Sequence, residues 1–419
     1  RRGGRASVPR FGHASATVPG YAAGVHAMQR RFGALPFSRC VEDAVGLARE
    51  GFPMGAGLAS TIAATRPDLS PAALAAFGAD GRGGSPVVGA VLRQEPLARV
   101  LEGIASGGPA AFYDGPPARA IREEMARGGV VVEEEDLSSF RPEWCEPLRM
   151  AYRGTEVFEV PPNSMGATAL LILRLLEETD LSAAGARSAE RVRATVGAAR
   201  AAYAARDREL GDPRFVGFDL DRFLGSAGGA GASRRIEPAD TTYFAVADGE
   251  GNVLSCIQSI FHHFGSRVFV GDCGFFLNNR GSAFTMEGPN ALAPRKRPLH
   301  TLSALLLSRE GRPVFATGCS GGDYRPQQHA LLVTNLVDYR MGLQEAIDFP
   351  RFLWDGEGTV RVEAGYDGLD GLGTAVERVG YPGRTGVAQG VEVVGAEEQK
   401  GGRLRGVCDL RGEGLPAGF

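Results

Sequence analysis

At 419 residues, with 43% apolar and 23% charged side chains, the chain is long enough for two or three average domains or one large layered α/β unit. A net charge of −3 and a pI near 6.2 exclude the electrostatic footprint of a nucleic-acid or anionic-membrane binder. No apolar run approaches the ~20 residues that span a bilayer. The six cysteines, at 40, 145, 256, 273, 319 and 408, show no CxxC and no Cys/His spacing suited to zinc, so they read as isolated thiols.

Residues 1–240 read as mostly helical. "FSRCVEDAVGLAREGF" has apolar residues at helical spacing and is ended by Gly51 and Pro53. "PLARVLEGIASGG" and "GPPARAIREEMARGG" repeat the pattern, each stopped by paired glycines that suit a left-handed C-cap. "EEEDLSSF" predicts a capped turn, its acids favoured by the helix dipole and not a metal site. "TEVFEVPP" predicts a short strand halted by prolines, and "GATALLILRLLEE" and "SAERVRATVGAARAAYAARDREL" predict two strong helices. A spacer of small residues, "GSAGGAGAS", then precedes Asp240-Thr241-Thr242.

From Thr241 the pattern changes to period-two alternation. "TTYFAVAD", "NVLSCIQSI", "RVFVG", "SALLLS" and "PVFATG" predict strands joined by turns such as "DGEGN" and "REGR". "RPQQHALLVTNLVDYR" and "LQEAIDF" add helices, and "GTVRVEAG" a further strand. Helices first and a β-rich part afterwards suggest two layers of one α/β unit.

The spacer before Thr241 has two readings: a linker, or a chain that cuts itself so that Thr241 becomes an N-terminus. A threonine hydroxyl is a weak nucleophile until a base takes its proton. An N-terminal threonine carries that base, its own α-amine, with a pKa near ~7.7–8.0. Making the terminus requires the hydroxyl to attack the Asp240 carbonyl. If "DGEGN" is a hairpin loop, Ala247 faces Val253 and, counting outward, Thr241 faces Ser259. Opposed Cβ atoms lie about 4.5–5.5 Å apart, so Ser259 is expected to hydrogen-bond the Thr241 hydroxyl. "ATGCSGGDYR" sets Gly321-Gly322 between a strand end and a helix starting near Pro326. Backbone N–H groups there are unobstructed by a Cβ, as a developing oxyanion needs.

These segments occur together, in order, with "ATVPGYAAGVHAMQRRFGALPF", "YRGTEVFEVPPNSMGATALLILRLLE", "FGSRVFVGDCGFFLNNRGSAF" and "KRPLHTLSALLL". The chain thereby resembles γ-glutamyltransferases (γ-glutamyltranspeptidases), which are self-cleaving N-terminal nucleophile hydrolases. The resemblance implies that Thr241 is the nucleophile, Ser259 its hydroxyl partner, Gly321 and Gly322 the oxyanion donors, and Asp240-Thr241 the cleavage site. It implies an α+β fold, the αββα sandwich, formed jointly by a large fragment, 1–240, and a small one, 241–419. No metal or cofactor is implied. The partners implied are a small acyl amide or γ-glutamyl substrate and the two fragments themselves.

Phe261, Arg280, Ala283, His300 and Thr301 match substrate-pocket positions of the family. Ala283 replaces an acidic residue expected to pair with the substrate amine, which points to the acylase-like branch that includes cephalosporin acylases. Arg280, and Arg325 beyond the glycine pair, are candidates to hold a carboxylate on the acyl group. His262 and His263 fall in a segment near the family's active site, whereas His329 is expected to be a packing residue. The resemblance also leads us to expect a further N-terminal stretch ahead of "ATVPG", with a carboxylate-binding arginine. Two other classes stay open: a non-catalytic relative acting as a binding module, and a two-domain protein with a plain linker at 225–240.

Overall fold

The helix stops read from the sequence act where they were expected. In the computed structural model, Phe37–Glu50 ends at Gly51 (φ +93°) and Glu95–Gly107 at Gly108 (φ +63°), backbone angles that disfavour side chains with a Cβ. Pro116–Arg127 ends at Gly128. "EEEDLSSF" gives the short helix Glu134–Ser138, with Glu133 and Asp136 capping each other's backbone. The structure describes residues 7–78, 83–226, 234, 236–383, 385–394 and 403–419; spacer residues 227–233 lie outside the described residues.

The chain forms two compact units, Arg1–Trp144 with Ile260–Ser282, and Cys145–Ser259 with Ala283–Phe419. In the first, amphipathic helices turn their apolar faces inward on Val100, Ile104, Phe112, Ile121 and Met125, joined there by Val268, Val270 and Leu277. "RVFVG" contributes only the two-residue strand Phe269–Val270, paired with Phe275–Phe276. The Phe77 ring packs against those of Phe264, Phe269 and Phe276.

The second unit is built on a six-stranded antiparallel sheet in the order Arg403–Cys408, Ala388–Val394, Arg312–Cys319, Leu305–Arg309, Thr155–Glu159, Leu148–Tyr152. Two of these strands come from the half read as mostly helical. Arg153-Gly154, with φ of +46° and +80°, makes the tight turn that joins them. "GATALLILRLL" has almost no polar face and accordingly forms the buried helix Gly166–Leu176, packed against Ala189–Glu209 and Arg325–Val337. Each leucine so buried contributes roughly 1.5–3 kcal/mol.

The hairpin Thr242–Ala247/Val253–Gln258 lies on one face of this sheet. Ala247 pairs with Val253 and Thr242 with Gln258, the register counted from the "DGEGN" loop. Tyr243 packs so closely on Gly318 that a Cβ there would lie 2.5 Å from its ring. The Tyr243 hydroxyl meets Ser255 Oγ at 2.7 Å, and Ser255 Oγ donates to Leu305 O at 2.9 Å. Cys319, the next residue of the strand, points to the opposite face, where its Sγ donates to Gln328 Oε1 at 3.1 Å. Helices therefore cover one face and the hairpin the other.

Candidate active site

Thr241 stands at the mouth of the hairpin, and its surroundings come from three segments of the second unit. Its hydroxyl donates to the carbonyl oxygen of Asp240 at 2.7 Å, and its N–H donates to Asp240 Oδ1 at 2.8 Å. Ser259, opposite Thr241 in the continued register, donates from Oγ to the same Asp240 carbonyl at 2.8 Å. The expected partner of Ser259 was the Thr241 side chain; this hydrogen bond goes instead to the peptide group just upstream. Two hydroxyls thus converge on one carbonyl oxygen.

The glycine pair lies beneath the segment that leads to Thr241. Gly321 N–H donates to Ala239 O at 3.2 Å, and Asp323 N–H to Glu237 O at 2.9 Å. Asp323 Oδ2 accepts from Glu237 N–H at 3.2 Å, and Ile236, which is buried, donates to Asp355 O at 3.1 Å. At Gly322 (φ +61°) a Cβ would lie 2.5 Å from Ala239 N and 2.6 Å from Glu237 O. Only glycine gives residues 237–239 this approach. Asp323, unmarked in the sequence reading, was signalled only by its place after the glycines.

Arg325 is fully buried at the start of the helix Arg325–Val337. Its Nη2 donates to Thr241 Oγ1 at 3.0 Å and its Nε to Cys319 O at 2.8 Å. A role in holding a substrate carboxylate was expected; in the structure the guanidinium is turned to the threonine. Burial holds it below its ordinary pKa, against the opposing influence of Cys319, Glu159 and Asp323.

Behind these groups is a cluster the sequence reading missed. His329, expected to be a packing residue, is fully buried with Nδ1 2.6 Å from Glu159 Oε1, and Ser303 Oγ donates to Glu159 Oε2. Burial alone would lower the His329 pKa. The Glu159 charge, with hydrogen bonds to Cys319 and Glu159, outweighs it and raises the value to about 9. Partners 170 positions apart leave no local signal.

The remaining pocket candidates divide between the units. His300 donates its N–H to Asn163 O at 2.8 Å and accepts from Leu302 N–H on Nδ1 at 3.2 Å; Thr301 beside it is buried. Phe261 (φ +83°) and Arg280 belong to the first unit, where the guanidinium lies 4.7 Å from the ring centroid. His262 is buried there between Asn279 and Arg10, while His263 is exposed. Among the described residues no group of His, Cys, Asp and Glu could hold a metal, and no helix is long and apolar enough to cross a membrane.

The gamma-glutamyltranspeptidase family model matches residues 1–419. A glutathione hydrolase-like proenzyme of Bacillus subtilis, YwrD, is 36% identical over 368 residues, covering 84% of this chain and 70% of the relative. The acylase ACY 1 proenzyme of a Pseudomonas strain is 34% identical over 373 residues, covering 84% and 66%. The chain therefore spans about two thirds of the length of these relatives. The crystal structure of a cephalosporin acylase from Bacillus halodurans superposes with a TM-score of 0.88 at 28% identity, over 98% of this chain and 79% of that one. The chain belongs to the gamma-glutamyltranspeptidase family of enzymes.

Proposed function

We propose that the protein is an autoprocessing amide hydrolase or acyltransferase with Thr241 as its nucleophile. The observation that carries the reading is the pairing of Thr241 Oγ1 and Ser259 Oγ on the Asp240 carbonyl. Rotation of the Thr241 side chain turns its oxygen from that carbonyl's oxygen to its carbon. Attack forms the Oγ1–C bond, and Ser259 stabilises the oxyanion. The C–N bond then breaks, the nitrogen takes the hydroxyl proton, and an ester joins Asp240 to Thr241 with the α-amine free. Water opens the ester, leaving the Asp240 carboxylate and an N-terminal threonine.

The same parts then serve substrate. The α-amine takes the Thr241 proton as Oγ1 attacks an acyl amide, and gives it to the departing amine. The Gly321 N–H, which holds Ala239 O in the uncut chain, becomes a donor to the oxyanion when segment 236–240 leaves, with Gly322 beside it. Water or a second amine releases the acyl group. The fragments 1–240 and 241–419 would then share one αββα sandwich, of which helices, sheet and hairpin supply three layers. No metal or cofactor enters these steps.

The relatives' names, glutathione hydrolase-like and acylase, support an amide substrate, which we take to be a γ-glutamyl amide or a glutaryl-type acyl amide. Ala283 offers nothing to an α-ammonium, so we favour acyl groups that end in a carboxylate and lack that amine. Phe261, Arg280, His300 and Thr301 are the proposed substrate-binding residues. Intact-mass analysis tests the reading. Wild type should yield two chains split between Asp240 and Thr241, at a rate independent of protein concentration, while Thr241→Ala stays whole. A wild type that stays whole, or that cuts in proportion to concentration, defeats it and leaves the binding-module alternative.

A further inference from the structure

Arg325 is placed against three physical preferences at once. Its side chain is fully buried, which strips a cation of water. It has no ion pair with a carboxylate among the described residues, and its Nη1 has no hydrogen-bond partner among them. It also begins the helix Arg325–Val337, at the end where the peptide dipoles favour negative charge. A packing role would be better filled by an uncharged side chain. Among the described residues, the one side-chain oxygen it hydrogen-bonds is the hydroxyl of Thr241, 3.0 Å from Nη2.

We propose that Arg325 is a catalytic residue of the Thr241 centre: its guanidinium stabilises the hydroxyl oxygen as that loses its proton and, after cleavage, keeps the neighbouring α-amine neutral so that it can act as base. The inference rests on the reading of Thr241 as nucleophile. A guanidinium on Oγ1 is a few ångströms from the nitrogen of the same residue, and a like charge at that distance disfavours the ammonium form.

Other charges face the centre. Asp323, at the glycine pair, and Asp240, whose Oδ1 accepts the Thr241 N–H before cleavage, oppose the effect. Glu159 is matched by His329 on the helix side, and Cys319 presents its carbonyl to Arg325 and its thiol to Gln328. Asp240 is on the upstream fragment and separates from the amine once the bond is cut. Arg325 stays.

The test compares full-length wild type with Arg325→Gln, Arg325→Lys and Arg325→Ala. Cleavage is followed by intact mass, and kcat/KM for a glutaryl or γ-glutamyl anilide is followed against pH on matured enzyme. In Arg325→Gln the acid limb should move up by about one pH unit, and rates at pH 7 should fall about tenfold or more. Its Tm should equal or exceed that of wild type, because an unpaired buried cation is gone. In Arg325→Ala, added guanidinium should restore cleavage where urea, neutral and of the same shape, does not. If Arg325→Gln fails to fold, Arg325→Lys is read in its place: charge kept but reach shortened, it should hold the limb and lose cleavage rate. Wild-type rates and limb in Arg325→Gln, wild-type cleavage in Arg325→Lys, or equal rescue by urea, overturn the assignment. A wild type that does not cut at Thr241 overturns the underlying reading instead.

Discussion

Ser259 shows how one hydroxyl acquires a role from register alone. Its Oγ is 2.8 Å from the Asp240 carbonyl, so under the proposed self-cleavage it acts on the carbonyl under attack and not on the attacking hydroxyl. Ser259→Ala should therefore slow self-cleavage by about 100-fold, the lower end of what one lost oxyanion donor costs. Melting should be unchanged, because no core group is removed. A gel time course beside a thermal melt checks both, and a variant that cuts at the wild-type rate shows that another donor holds that oxygen.

Among the elements, segment 236–240 sets where the Asp240–Thr241 bond, the proposed site of cleavage, stands at the mouth of the hairpin. It has no regular structure, yet Glu237 is held on both its N–H and its C=O by Asp323, and Ala239 O by Gly321. Asp323→Ala removes the side-chain half of that clamp and leaves the backbone half. With one hydrogen bond contributing about 1 kcal/mol, cleavage should slow roughly fivefold. Equal cleavage rates in the variant and wild type would show that the backbone contacts alone position the segment.

At the scale of the whole molecule, buried charges tie distant parts of the chain together and set its response to pH. Glu363 accepts from Arg351 N–H, Gly383 N–H, Thr385 Oγ1 and the Arg411 guanidinium, fastening the C-terminal residues to the second unit. Burial alone would raise its pKa, but Arg411 and these donors hold it below the ordinary carboxylate value. Its contribution is thus present above the unfolded value of about 4.3 and is lost as pH falls through the folded value. His329 behaves oppositely. Raised to about 9, it stabilises fully below its unfolded pKa of about 6.5, and that contribution is lost as pH rises through about 9. Urea midpoints should be highest between about pH 4.3 and 6.5. Glu363→Ala should cost about 1–3 kcal/mol, because Arg411 loses one of its two carboxylate partners among the described residues and keeps Asp409, and it should flatten the acid side of the curve. His329→Gln should flatten the alkaline side. An unchanged acid slope in Glu363→Ala would show that other carboxylates govern acid unfolding.

Much of this was readable from the chain itself because it is local. Helical periodicity, glycine stops and the "DGEGN" loop act within a few residues, so the helices, the hairpin and the facing of Thr241 by Ser259 followed from counting. Gly321-Gly322 was legible for the same reason: the freedom of the two residues is a property of the residues. The order of the six strands was not legible, since each presents the same alternation to any neighbour and the first half hid one of them, Leu148–Tyr152. Nor was the direction of Arg325, one arginine among many, nor the meeting of Glu159 with His329. Those depend on which segments pack face to face, and packing weighs contacts across the whole chain. The sequence by itself determined most of the elements, the register that sets Ser259 opposite Thr241, and the family; the tertiary structure alone decided which buried charges stand around Thr241.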